Sequence, residues 1–154
     1  MIYMDLKDGR VVIETRPDLA PKHVARIDEL VKQGFYDGVV FHRVIPGFMA
    51  QGGDPTGTGT GGSGKKIPAE FSSTKHVRGT CSMARANDPN SADSQFFICF
   101  ADASFLDGKY TVWGQVTEGM ELVDKIKKGS QSNNGAVSDP DKIIKMQLAE
   151  DAKD

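Results

Sequence analysis

The sequence predicts a mostly β domain, a closed eight-stranded antiparallel β-barrel capped by two α-helices. Three observations lead to this fold class. Eight short runs rich in β-branched and aromatic residues are separated by turn residues. Only two segments show a helical period, and the alternation of strand and helix typical of a parallel nucleotide-binding sheet is absent. Because an open antiparallel sheet would expose its edges, we expect this sheet to close on itself.

The strand candidates begin with a hairpin. Residues 1–6 are followed by Asp8-Gly9, two residues that tolerate the positive φ of a tight turn, and then by residues 11–15. The six further candidates are residues 39–45, 48–51, 81–84, 95–100, 111–116 and 143–148.

The first predicted helix begins near Pro21 and stops at Gly34. Its apolar residues share one face at the helical period. They are Val24, Ile27, Leu30 and Val31.

The second predicted helix follows an N-cap candidate at Thr117 and ends before Gly129. Met120, Val123 and Ile126 line one side of it.

Length and charge limit the classes of function. A chain of 154 residues is the size of one domain, so we expect residues 1–154 to form a single domain. The net charge is −2 and no cluster of Lys and Arg forms a stripe, which argues against nucleic acid as a partner. No apolar run is long enough to span a membrane and the first residues do not resemble a leader, so we expect a cytoplasmic location.

A glycine loop, residues 52–64, holds seven of the 17 glycines. Within it, GTGTGG fits the G-x-G-x-x-G pattern and GTGGSGK fits the first seven positions of a P-loop. Both motifs need a strand before them and a helix after them, but Asp54-Pro55 precedes and Ile67-Pro68 follows. We expect a flexible loop beside a binding site, and a nucleotide-binding regulator is the alternative that this segment leaves open.

The residues that carry metal or nucleophilic chemistry are sparse. The three His residues, His23, His42 and His76, are scattered, and we expect each on the surface or in support of other groups. Cys81 and Cys99 are predicted to be buried reduced thiols, with a disulfide between them as the alternative. No metal or other cofactor is predicted, and no Ser or Cys has an evident partner for nucleophilic catalysis.

Two segments instead concentrate apolar side chains near one arginine. They are FHRVIPGFMAQGGD, residues 41–54, and SQFFICF, residues 94–100. Side chains alternate along a strand, so Met49 and Gln51 share one face, and Gln95 and Phe97 share the face opposite Phe96. The pattern predicts either a shallow apolar pocket with an amide rim or simply more of the interior.

Together with SMA at residues 82–84 and FLDGKYTVWGQV at residues 105–116, these segments give a specific pattern over nearly the whole length. The chain resembles the cyclophilin-type peptidyl-prolyl cis-trans isomerases (EC 5.2.1.8) of the compact bacterial kind. The resemblance implies an isomerase and protein-folding chaperone that rotates X-Pro imide bonds in peptides and in unfolded or nascent proteins, without a cofactor. It also implies an eight-stranded barrel, and we expect a monomer.

The resemblance also implies the site, position by position. Arg43 and Gln51 are the catalytic residues, and Gln51 is expected to orient either the guanidinium of Arg43 or the substrate carbonyl. The proline pocket and the groove for the extended peptide are formed by the following residues: Phe48, Met49, Phe97 and Leu106 for the pocket, Gln95 as a polar neighbour, Ala84, Arg85 and Ala86 for the groove, and Phe105 and Tyr110 for the rim.

Three of these positions depart from the drug-sensitive members of the family, which carry Trp at Phe105, His at Tyr110 and Asn at Arg85. Without an indole N–H the site loses a donor, so the resemblance implies only weak cyclosporin binding. Arg85 adds a charge to the peptide groove. A binding module that recognises proline segments without turnover remains the second class of function.

Overall fold

A computed structural model describes residues 1–152 of the chain. The strands β1 to β8 run Ile2–Leu6, Gly9–Thr15, Arg43–Ile45, Met49–Gly52, Thr80–Met83, Phe96–Cys99, Val112–Glu118 and Lys145–Leu148. The helices α1 and α2 run Pro21–Lys32 and Met120–Val123, and 3-10 turns occupy Ser104–Leu106, Gln131–Asn133 and Ala149–Asp151. The mostly β class and the number of strands predicted from the sequence are confirmed.

All eight strands belong to one antiparallel sheet in the order β3-β4-β6-β5-β7-β2-β1-β8. The predicted hairpin is present, but its two turn residues are Lys7 and Asp8 and not Asp8 and Gly9, because Gly9 already pairs with Leu6 as the first residue of β2. Strand β6 lies between β4 and β5, so its side chains are flanked on both sides.

The prediction of a closed barrel is wrong: the strands form a curled, open half-barrel. Its edge strands, β3 and β8, are separated by the irregular segment 134–143. Two residues of this segment, Asn134 and Asp139, have positive φ, and Pro140 follows them, so the segment cannot continue as a strand. It touches the edge at single points, where the Val44 amide donates to the Gly135 carbonyl (2.8 Å).

Helix α1 packs its predicted apolar face into the main core, where Ile27 and Leu30 are buried. Its N-cap position, Ala20, offers no side-chain acceptor. Glu70, which is 48 residues along the chain from Lys22, accepts hydrogen bonds from the amides of Lys22 (3.1 Å) and His23 (2.7 Å). The N-terminus of the helix is therefore capped from a distant loop.

Helix α2 is shorter than predicted. Thr117 lies within β7, and the N-cap is Gly119, which has a φ of 84° and approaches Arg10 so closely that a Cβ would lie 2.7 Å from the Arg10 carbonyl. After Val123 the chain continues in tight turns, in which the Ile126 amide donates to the Val123 carbonyl three residues before it. The prediction of Thr117 as the cap was wrong.

The sheet separates two apolar clusters. Phe96, Ile98 and Phe100 belong to the main core, as the alternation predicted. Phe97 and Cys99 of the same stretch belong to a second cluster on the other face, together with Met49, Ala103 and Leu106. The prediction that Phe97 faces away from the main core is confirmed, and the structure adds that it is 5% exposed.

The two cysteines lie on opposite faces of this sheet. Cys81 pairs with Ile98 and belongs to the main core, whereas Cys99 belongs to the second cluster. Both are free and buried, which confirms the prediction of reduced thiols. Burial raises the pKa of both thiols, that of Cys99 to about 12.

The cap of α1 gives a prediction. Changing Glu70→Gln should lower the free energy of unfolding by about 1–2 kcal/mol at pH 7, because the charged acceptor of two helix amides is lost. Burial acts to raise the pKa of Glu70, but hydrogen bonds from the His23 ring and from the two amides hold it below its ordinary value. A carboxyl with a lowered folded pKa stabilises the fold above its unfolded pKa of about 4.3 and loses that effect in acid.

Urea denaturation of wild type and Glu70→Gln between pH 7 and pH 3 measures both statements. The gap between the two proteins should shrink as the pH falls. Glu118→Gln, at an exposed position of β7, serves as the matched control. A gap that is absent at pH 7 or independent of pH would contradict the capping role.

Candidate active site

The second apolar cluster forms the floor of a surface cavity of about 470 Å³. Most of the residues that the sequence predicted for the site line it: Arg43, Phe48, Met49, Gln51, Ala84, Arg85, Phe97, Phe105, Leu106 and Tyr110. Lys109 lines it as well and was not predicted. The predicted residues Ala86 and Gln95 instead line a neighbouring cavity of about 310 Å³.

Aromatic contacts shape the walls of the larger cavity. Tyr110 meets Phe97 edge to face, with ring centroids 5.8 Å apart, and Phe48 lies 5.3 Å from Phe105. Met49 is 1% exposed, whereas Phe105 is 63% exposed and stands at the rim. The cavity therefore has a buried apolar floor and one aromatic edge that is open to water. This shape suits a small apolar ring.

Arg43 lies at the mouth of this cavity on the edge strand β3 and is held by three hydrogen bonds. Its Nη1 donates to Gln51 Oε1 (3.0 Å), a residue directly opposite it in the β3–β4 register. Its Nε donates to the Asn134 carbonyl (3.0 Å) and its Nη2 to Asn134 Oδ1 (3.1 Å). Gly135 lets the loop approach, because a Cβ there would lie 2.6 Å from Ile45.

A series of amides continues from Arg43 away from the cavity. Since arginine only donates, Gln51 must present its oxygen to Arg43, and its Nε2 donates to Gln95 Oε1 (3.0 Å). Gln95 Nε2 then donates to the carbonyls of Gly59 (2.9 Å) and Gly61 (3.0 Å). The orientation of both glutamine amides is thus set by the two ends of the series.

The glycine loop is folded around the buried carboxylate of Asp54. Oδ2 of Asp54 accepts the amides of Gly59 (2.6 Å) and Gly61 (3.0 Å), the same residues whose carbonyls bind Gln95. Burial acts to raise the pKa of Asp54, but the hydrogen bonds from Gly61, Thr56 and Gly59 outweigh it and hold the pKa well below the ordinary range.

This arrangement argues against nucleotide binding by the two motifs of the glycine loop. The amides that a phosphate would need are donated to the protein's own Asp54 instead. The next regular element after the loop is the strand β5, so the helix that both motifs require is missing from the part of the chain described here.

A buried histidine supports the pocket floor from below. His76 is 1% exposed and its ring stacks on Phe97, with centroids 6.2 Å apart and an angle of 15°. Its Nδ1 lies 3.1 Å from Asp107 Oδ1 and its Nε2 lies 2.9 Å from Ser82 Oγ. The Ser82 oxygen is fully buried, so this Ser-His-Asp series cannot reach a substrate carbonyl and acts as packing and hydrogen-bonded support.

The other two histidines lie outside the pocket floor, and both fit the expectation of a surface or supporting place. His23 is buried against Glu70 (2.7 Å) and not on the surface. His42 is half-buried beside the glycine loop. Among residues 1–152, no group of three or more His, Cys, Asp or Glu side chains is placed to hold a metal ion, and no helix is long and apolar enough to cross a membrane.

Sequence reasoning missed three residues of the site and its support: Lys109, Asp54 and Asn134. The Asn134-Gly135 dipeptide marks a turn, which is a usable signal, but its contact with Arg43 spans 91 positions. Asp54 is the last residue of a recognisable segment, yet only the folded loop shows that the amides of the glycine loop converge on its carboxylate.

The loop gives a second prediction. Changing Asp54→Asn should accelerate hydrogen exchange of the Gly59 and Gly61 amides by about 10- to 100-fold, because a charged acceptor is worth about 1.5–3 kcal/mol and the neutral amide replaces one oxygen by a donor. Exchange followed by NMR measures this change. Asp102→Asn, an exposed position, is the matched control, and unchanged protection of the two glycine amides would contradict the role of Asp54.

The comparisons with known proteins agree with one another. The family model described as cyclophilin type peptidyl-prolyl cis-trans isomerase/CLD matches residues 1–148. A probable peptidyl-prolyl cis-trans isomerase of Brucella abortus is 57% identical over an alignment 164 residues long, which covers 99% of this chain and 84% of that protein. A peptidyl-prolyl cis-trans isomerase of Helicobacter pylori is 49% identical over 125 residues, covering 79% of this chain and 76% of that protein.

Solved structures give the same result. A cyclophilin from Hirschia baltica superimposes with a TM-score of 0.88 at 29% identity, covering 99% of this chain and 74% of that chain. A cyclophilin-type isomerase of Cryptosporidium parvum, crystallised in the presence of the dipeptide Ala-Pro, gives a TM-score of 0.86 at 31% identity, covering 96% and 97% of the two chains. With its half-barrel and its apolar cavity, this chain belongs to the cyclophilin family and is a peptidyl-prolyl cis-trans isomerase.

Proposed function

We propose that the cavity of about 470 Å³ binds the proline ring of an X-Pro segment and that Arg43 donates a hydrogen bond to the imide nitrogen as the bond rotates. The observation that carries this proposal is the position of Arg43. Its guanidinium stands at the mouth of a cavity floored by Met49, Phe97 and Leu106, and Gln51 and Asn134 fix it there.

The chemistry asks for little more than a donor and a shaped surface. Rotation about X-Pro breaks no covalent bond, but it disrupts amide resonance, which sets a barrier of about 18–20 kcal/mol. In the twisted state the nitrogen lone pair is no longer shared with the carbonyl and accepts a hydrogen bond better. A donor aimed at that nitrogen therefore stabilises the transition state more than either planar ground state.

Arg43 retains the donors that this role requires. A guanidinium has five N–H groups, and the three hydrogen bonds to Gln51 and Asn134 use three of them. The other two N–H groups have no partner among the described residues. Because the guanidinium stays protonated, it acts as a fixed electrostatic donor and not as a proton shuttle.

The magnitudes are consistent with this mechanism. Uncatalysed isomerisation takes about 10–100 s, so a turnover of about 10–1,000 per second requires the barrier to fall by about 3–7 kcal/mol. One preorganised charged donor contributes about 2.7–4 kcal/mol by analogy with an oxyanion donor, and fixing the ring in the cavity supplies the remainder.

Gln51 is a positioning residue in this proposal. The sequence left open whether it orients the guanidinium or the substrate carbonyl. Its oxygen is engaged by Arg43 and its nitrogen by Gln95, which favours orientation of the guanidinium.

The groove for the extended peptide runs past Ala84, Arg85 and Ala86 into the neighbouring cavity. Gln51, Ala84 and Arg85 line both cavities, so a chain can pass from one to the other. The Cryptosporidium parvum relative crystallised with Ala-Pro supports proline-containing peptides as substrates of this site as well. Five statements from the sequence stay predictions: action on unfolded or nascent proteins, weak cyclosporin binding, a monomeric state, a single domain over 1–154 and a cytoplasmic location.

The role of Arg43 is tested by substitution. Arg43→Ala should lower kcat/KM for a short X-Pro peptide by about 10²- to 10³-fold, because the donor to the imide nitrogen is lost. Exchange NMR on the cis and trans peptide signals measures this rate, and circular dichroism verifies the fold.

Arg16→Ala removes an exposed guanidinium that pairs only with Asp18 outside the site, and it should leave the rate unchanged. An unchanged rate in a folded Arg43→Ala protein would remove Arg43 from the mechanism. Peptide binding without any turnover by wild type would favour the binding-module class instead.

The loop residue Asn134 offers a finer test. Asn134→Gly keeps the left-handed backbone and the carbonyl that accepts Nε, but removes the oxygen that accepts Nη2. With one of three restraints on Arg43 gone, kcat should fall about threefold to tenfold while KM changes less.

Asp139→Gly is the control for this variant, because Asp139 also has positive φ and lies on the same loop, whereas the side-chain hydrogen bonds of Arg43 go to Gln51 and Asn134. Equal kcat values for wild type and Asn134→Gly would show that the main-chain contact alone orients the guanidinium.

A further inference from the structure

We propose that Arg85 is a specificity-determining residue of this isomerase, and that it favours substrates carrying an acidic side chain one or two residues from the proline. The inference rests on the proposed function, because it assumes that the proline occupies the larger cavity. It goes beyond that function by assigning a chemical class to the residues around the proline.

Arg85 lies where the substrate chain must pass. It is half-buried and lines both the proline cavity and the neighbouring cavity. An extended peptide advances about 3.3 Å per residue, so a chain with its proline in the larger cavity brings the next one or two side chains past the boundary between the cavities.

The guanidinium of Arg85 is unusually well fixed. Its Nε and Nη2 donate to the Lys109 carbonyl (3.1 and 2.7 Å), and its Nη1 donates to the carbonyls of Ala86 (2.9 Å) and Asn87 (3.3 Å). It also stands 4.6 Å from the centroid of the Tyr110 ring, within cation–π distance. The charge is therefore held in place before substrate binds, and little side-chain entropy remains to be lost.

One hydrogen-bond donor of this group remains for a substrate. Four hydrogen bonds to carbonyls use four of the five N–H groups of Arg85, and the fifth has no partner among the residues described. Carbonyl acceptors carry no net charge, so they fix the guanidinium without neutralising it. A carboxylate on the peptide would gain both the long-range attraction and one charge-assisted hydrogen bond.

The surroundings reinforce the sign of the charge. The other charged side chains lining the two cavities are Arg43, Lys66 and Lys109, with Asp93 as the acidic one among the described residues. The Asp93 carboxylate is engaged by the Ser63 amide (2.7 Å) and the Gly64 amide (3.1 Å). Because the whole chain has a net charge of −2, this excess of positive charge is local to the groove.

Matched peptides test the inference. Glu and Gln are compared at the position before the proline, two positions before it and one position after it, and kcat/KM is measured by exchange NMR at low ionic strength. For wild type, the Glu peptide of at least one pair should be favoured about threefold to tenfold over its Gln partner. The preference should shrink in 0.5 M NaCl, because exposed charges are screened.

Three variants separate charge from shape. Arg85→Gln should bring the Glu/Gln ratio to about 1, whereas Arg85→Lys should keep part of it because the charge remains. Arg16→Gln removes one positive charge outside both cavities and should leave the ratio as in wild type.

The inference would be overturned by a Glu/Gln ratio of kcat/KM below twofold at every position in wild type. It would also be overturned by a ratio that persists in Arg85→Gln. In either case, turnover of the Gln peptides would still support the isomerase site. Arg85→Gln also removes four hydrogen bonds, so its folding is checked by circular dichroism. If it does not fold, Arg85→Lys and the salt series decide whether the charge of Arg85 sets the Glu/Gln ratio. A wild type that turns over no peptide of any pair would overturn the proposed site, and this inference with it.

Discussion

The alternation of side chains along β6 is the constraint on which the rest of this molecule depends. Phe96 and Ile98 point into the main core, and Phe97 and Cys99 point to the opposite face. Since β6 is paired on both sides, a shift of one residue would exchange the two sets. Folding of the core therefore fixes the place of Phe97 in the pocket floor, and Met49 of β4 and Leu106 of the 3-10 turn Ser104–Leu106 complete that floor.

The polar half of the site depends on a different principle, the satisfaction of buried donors and acceptors. The carboxylate of Asp54 accepts hydrogen bonds from amides of the glycine loop. Two of the residues that donate them, Gly59 and Gly61, also accept hydrogen bonds from Gln95 through their carbonyls. Gln95 orients Gln51, and Gln51 orients Arg43. Each hydrogen bond leaves one donor and acceptor arrangement for the next residue, so the guanidinium is preorganised by a series that begins at Asp54.

The sequence predicted much of this arrangement, and the reasons for its failures are physical. Strand periodicity placed Met49 and Phe97 correctly because alternation is a local property. The closed barrel was wrong because closure depends on whether the distant edges β3 and β8 meet, and the irregular loop with Asn134 lies between them. Glu70 at the start of α1 was missed for the same reason, since a cap supplied 48 residues away leaves no pattern near the helix.

Arg43 and Arg85, the two arginines of the groove, differ in how many N–H groups they keep for the substrate, and this difference gives them different roles. Arg43 keeps two N–H groups for the substrate and is braced by two amide side chains and one main-chain carbonyl, which suits a hydrogen bond to one nitrogen atom. Arg85 keeps one N–H group and is braced by main-chain carbonyls, so it contributes mainly a fixed field. A field acts on planar and twisted imides alike, whereas the bond from Arg43 strengthens only as the nitrogen loses resonance. Arg85 can therefore select substrates through binding, while the rate of rotation is left to Arg43.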